Sequence, residues 1–244
     1  MNSEHTPSPA PRAAERAAPS RLALALPVVA LALVGVLLLW AFPRTGADAA
    51  QPVGLAHTHQ VVPRTAKQQA FHDQMRKLWE DHVTWTRLAI VTFADGSAGF
   101  SATAGRLLQN QSDIGVAITP FYGDSGGRRL SALLHDHISI AVEILGAAKV
   151  GDTAAFTSAK ARWYANANDI ADFLAAANPR FWPDSAMRDD MRVHLDQTLA
   201  EAAHELAGNY PASVADYEVV HAHILQMADM LSSGIIGAFP SSFR

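Results

Sequence analysis

Histidine is the residue type with the most chemistry to offer in this chain. It carries eleven histidines and no cysteine among 244 residues. The missing thiols exclude disulfide scaffolds, thiolate zinc sites, iron–sulfur clusters, CxxCH haem attachment and cysteine nucleophiles together. Imidazole remains, and it is the commonest side-chain ligand for zinc, copper and iron.

Four histidines fall among apolar residues when positions are advanced by ~100° each, the angle of an α-helix. His82 sits near the centre of a face made by Phe71, Met75, Leu78, Trp85, Ala89 and Phe93. His137 lies among Leu130, Leu134, Ala141, Ile144 and Ala148, and His221 among Tyr217, Ile224, Ala228, Leu231 and Ile235. His194 takes the flank of a stripe of Met187, Met191, Leu195, Ala202 and Leu206, with Thr198 beside it. Gln111 and Asn166 occupy comparable places on two further stripes, and Thr86 is one turn from His82. Counted from the intervening breaks, His82, Gln111, His137, Asn166 and His194 come to one level of an antiparallel bundle, within a helical turn. His221 stands a turn or two away.

A buried imidazole costs free energy unless its nitrogens find partners, so several at one level require a common reason. One reason is a metal ion (copper, zinc or iron) or a non-covalent haem held by His82, His137, His221 and His194. Gln111, Asn166, Thr86 and Thr198 would then hold these ligands in place. Met187, Met191, Met227 and Met230 leave a thioether contribution open. The other reason is structural: a polar layer that fixes helix register and binds nothing.

Other patterns say less. Glu201-Ala-Ala-His204 and Glu218-Val-Val-His221 resemble half of a di-iron carboxylate set, but the two further inward glutamates it needs are missing. The pairs His135/His137 and His221/His223 point ~200° apart on a helix, so one member of each faces in, and His135 and His223 are expected in solvent. Arg87 is expected on an outward face. There is no glycine-rich phosphate loop, GxSxG, HExxH or Ser/His/Asp spacing. With no acid–base pair evident, the site reads as one that carries, stores or senses rather than catalyses.

The elements that must position these residues are helical throughout. Apolar periodicity predicts segments over 66–94, 102–119, 128–149, 153–176, 184–209 and 213–237, separated by short turns rich in Gly, Pro, Asn and Asp. Asp152 and Asp184 or Ser185 are the expected N-caps. Short connections make neighbours antiparallel, so the fold class is an all-α up-and-down bundle of about six helices with a four-helix-bundle-like core.

The N-terminal quarter is organised differently. Residues 1–21 form a Pro/Ala/Ser-rich tail. From Leu22 to Pro43 no residue is charged, and twenty-two residues at ~1.5 Å each reach about 33 Å, enough for a hydrocarbon layer of ~30 Å. This span is expected to anchor the chain in a membrane, with arginines 12, 16 and 21 placing the N-terminus in the cytoplasm. The competing reading is a signal sequence cleaved near Ala49, which leaves a secreted product. Either way residues 66–244 lie outside the cytoplasm, in the periplasm or at the cell surface, after a linker over 44–65. His57 and His59 fall in that linker. The net charge of −4 with a pI near 6.2 lacks the basic balance of a nucleic-acid binder.

Overall fold

The structure, a computed structural model, describes residues 63–244. The tail at 1–21, the uncharged span at 22–43 and nearly all of the linker, with its His57 and His59, lie outside the described residues.

Five α-helices follow one another: α1 (Ala66–Ala94), α2 (Phe100–Val150), α3 (Thr153–Ala177), α4 (Asp184–Leu206) and α5 (Tyr210–Ala238), then a short 3₁₀ turn at Pro240–Phe243. The described part is a helical bundle, as the periodicity predicts. Helix α1 opens with a capping box, in which Gln68 N donates to Thr65 Oγ1 and Thr65 N donates to Gln68 Oε1, each at 3.2 Å. Thr65 Oγ1 also donates to the carbonyl of Phe243 at 2.9 Å, joining the start of the bundle to its end. Asp152 caps α3 as expected, accepting from Ala155 N at 2.9 Å. The start of α4 differs: Pro183 is the cap residue and Asp184 is already helical, its carboxylate accepting from Arg188 one turn on. Helix α5 begins at Tyr210 rather than 213, because Pro211 fits a first turn whose N–H groups need no helical partner.

The largest departure is at residues 120–127, where a loop is expected between two helices. Helical hydrogen bonding runs through Pro120 into a single element, α2, and the chain reverses at Gly123, whose φ of 71° and ψ of 170° leave the helical region. The two arms of α2 then lie against each other. Ser112 on one bonds His135 on the other at 3.0 Å, and Gly115 meets Gly127 so closely that a Cβ on Gly127 would fall 2.6 Å from the Gly115 carbonyl oxygen. By length and composition α2 also qualifies as a candidate membrane span, yet it supplies Leu107, Ile114, Ile118, Leu130, Leu134 and Ile144 to the core.

Each helix packs on its sequence neighbours, and α1 closes the ring on α5. The main core runs along the axis through Met75, Trp79, Ile114, Trp163, Leu195 and Ile224.

Candidate metal centre

His82 comes from α1, His137 from the second arm of α2 and His194 from α4. All three are buried, at 2, 3 and 5% exposure, and all three line one cavity of about 30 Å³. The ring centroids of His82 and His194 are 5.8 Å apart, and those of His137 and His194 are 6.1 Å apart. His194 is therefore the shared member, although sequence position puts it only on the flank of its stripe. The remaining lining is apolar or aromatic, and includes Met75, Met191, Met227, Trp79 and Trp182.

Side-chain amides hold two of the rings and fix where their protons sit. Asn166 Nδ2 donates to the carbonyl of Leu133 at 3.0 Å, which turns Oδ1 toward His137 Nδ1 at 2.9 Å. His137 Nδ1 must then donate, and the lone pair of the neutral ring is on Nε2. The same ring lies over Trp163, centroids 5.0 Å apart, and its backbone carbonyl accepts from the Trp163 indole at 3.0 Å. Gln111 acts in the opposite sense. Its Nε2 donates to the carbonyl of Leu107 at 2.8 Å and faces both Asn110 Oδ1 and His82 Nδ1 at 3.2 Å. His82 Nδ1 accepts, so the neutral ring carries its proton on Nε2. His194 Nδ1 has no hydrogen-bond partner.

All three imidazoles are held uncharged. Burial pulls His82 down to about 3, with His137 nearby adding to the effect, and burial pulls His137 down to about 4. His194 lies well below its ordinary value, first through burial and then through His82, His137 and His223.

The remaining expected site residues are placed as follows. Gln111 contacts the ring of His82 and Asn166 that of His137. Thr86 and Thr198 bond the backbone carbonyls of His82 and His194, at 2.8 and 2.9 Å, and not their rings. His221 stands apart from the cluster, donating Nε2 to the Glu80 carboxylate at 2.8 Å. Its neighbour His223 is the buried one, at 7% exposure, donating to the carbonyl of Asp190 at 3.1 Å. The buried face of α5 is set by Val220, Ile224, Met227, Leu231 and Ile235, which turns Tyr217 and His221 to its edge. Among the described residues, no three His, Asp or Glu side chains are grouped closely enough to share one ion.

Two further buried polar features escape the sequence reading. Arg87, expected in solvent, is 17% exposed and bridges Glu201 at 3.2 Å and Glu205 at 3.1 Å. Ser213 Oγ also donates to Glu205 at 2.6 Å. Burial raises Glu201 to about 7 against the pull of Arg87. Glu201 is thereby spoken for, and His204 pairs with Asp216 at 2.6 Å, so the two Glu-x-x-His motifs do not face each other as a di-iron set. Asp190 is 1% exposed with neither carboxylate oxygen hydrogen-bonded, and burial, followed by Asp189, raises it to about 7.

Comparison with protein-family models, with curated proteins and with solved structures finds no match to this chain.

Proposed function

We propose that this bundle binds a single metal ion at the cavity between α1, α2 and α4, in a carrying, storage or sensing role, from an extracytoplasmic domain behind a membrane anchor at residues 22–43. The observation that carries the reading is the meeting of three uncharged imidazoles at one cavity, with His194 common to both ring pairs. A nitrogen bound to a metal at ~2.0–2.1 Å puts the ring centre roughly 3.2 Å from the ion, so two rings on one ion lie about 5–6.5 Å apart. The observed 5.8 and 6.1 Å fall in that interval. Metal ligation also needs imidazole without a proton on the ligating nitrogen, and burial keeps these rings neutral. A space of about 30 Å³ suits an ion, whereas a haem is many times larger, so the reading narrows to a metal ion.

The second reading is a non-catalytic interaction bundle whose polar layer sets register. The amide contacts favour it, since Gln111 ties α2 to α1 and Asn166 ties α3 to α2. Equilibrium dialysis of the full-length chain against zinc, nickel, cobalt and copper, the last with and without ascorbate, followed by elemental analysis, separates the two. Metal binding gives about one ion per chain, lost in His194→Ala. A register layer gives no retained ion from any of the four metals, and loss of stability alone in His137→Ala.

A further inference from the structure

Resting on that reading, we infer that the ion is monovalent copper, held between His137 and His194 with methionine thioethers beside it. Three observations converge on this assignment. First, the ligand set is entirely neutral. The cavity wall carries imidazoles, thioethers, hydrocarbon, the indoles of Trp79 and Trp182 and the phenol of Tyr122, and no carboxylate, so nothing on it offsets the cost of a bound ion's charge. That cost rises steeply with charge, and a single positive charge is far cheaper to hold there than two.

Second, the available donors suit a low coordination number. His137 presents the Nε2 lone pair, because Asn166 holds the proton on Nδ1. His194 Nδ1 has no hydrogen-bond partner, so that nitrogen faces no competing demand. His82 is different: Gln111 occupies its Nδ1 lone pair and leaves the proton on Nε2, so it borders the ion without ligating it. Zinc and ferrous ions, which take four or more ligands, find two neutral nitrogens and no third His, Asp or Glu ligand here among the described residues. The 6.1 Å between the His137 and His194 ring centres, with the ring planes 23° apart, lies near the upper end of the interval for two rings on one ion.

Third, Met75, Met191 and Met227 line the same cavity, and Met191 lies one turn before His194 on α4. Thioether and imidazole together are a soft set that selects cuprous over divalent ions. No proton is released at His137, because its ligating nitrogen is already unprotonated.

The test uses the full-length chain under ascorbate, with bicinchoninate competing for Cu(I), and Ag(I) as an air-stable probe of the same preference. We expect about one Cu(I) or Ag(I) per chain, with His137→Gln and His194→Gln each weakening it roughly 100-fold while helical circular dichroism is unchanged. Met191→Leu with Met227→Leu keeps core volume and should weaken Cu(I) roughly 10-fold. His221→Gln, at its separate surface pair with Glu80, leaves binding unchanged. Zinc or nickel held at one per chain in a His194-dependent way, with Cu(I) excluded, overturns the cuprous assignment and leaves the metal reading standing. No retention of any ion overturns both. Should the histidine variants unfold, an unchanged Cu(I) affinity in the methionine pair overturns the assignment.

Discussion

Asp190 states the energetics of single buried groups most simply, because its carboxylate is enclosed and unpartnered. Its value is raised to about 7 from an ordinary 3.8, so the folded state holds a proton that the unfolded state has already released at pH 5–6. The folded state therefore loses ground as pH rises through that window. Asp190→Asn should stabilise the protein by about 1–3 kcal/mol at pH 8 and by much less at pH 5, read from urea midpoints at the two pH values. Arg87 is the converse case. Arg87→Met removes the counter-charge from two carboxylates, and should cost about 3–5 kcal/mol at pH 8, partly relieved at pH 5.5 as Glu201 takes up a proton. Equal losses at both pH values would count against the pairing. Neither the burial of Asp190 nor the half-burial of Arg87 was legible in the sequence, because a charged side chain at the margin of a stripe looks the same whether it meets water or a partner from another helix. His82 and His137, flanked on both sides by apolar residues at helical spacing, carried a signal no neighbour could reverse. His194 and the His221/His223 pair sat near stripe edges, where an error of a few tens of degrees decides between core and surface.

At the scale of elements, four helix extents follow from periodicity to within a few residues, and the hairpin in α2 does not. Pro120 and the glycines at 123, 126 and 127 mark a break correctly, but they do not distinguish a loop from a helix that folds back. What decides it is contact between the arms: Gly115 and Gly127 have no side chain, so the arms approach to backbone distance. Gly127→Ala places a methyl 2.6 Å from the Gly115 carbonyl and 2.4 Å from Thr119 Oγ1, and should cost about 1–3 kcal/mol in denaturant unfolding. Gly105→Ala, on an exposed helical surface with nothing within 4 Å, should stabilise by roughly 0.5–1 kcal/mol. A stabilised Gly127 variant would mean that the arms do not cross at this point.

For the whole molecule, the histidine cluster ties three helices together and makes the fold acid-sensitive. His82 and His137 titrate at about 3 and 4 in the folded chain against 6.5 unfolded, and His194 is lowered too. As pH falls below 6.5 the unfolded chain takes up protons that the folded chain refuses. Each such histidine then costs about 1.4 kcal/mol per pH unit until the folded group also protonates. Asp190 and Glu201 act in the opposite sense from about pH 7 down to their ordinary values of 3.8 and 4.5, so the net fall between pH 6 and 4.5 should be shallower than three histidines alone would give. Thermal unfolding from pH 8 to pH 4 follows it directly, and a flat profile would contradict neutral burial of the cluster. Whether His194 completes a metal site is decided by elemental analysis of the full-length chain after metal loading, wild type beside His194→Gln. A site built on His194 holds about one ion per chain in the first and less than a tenth of that in the second. Equal metal in both proteins, or none in either, would contradict it.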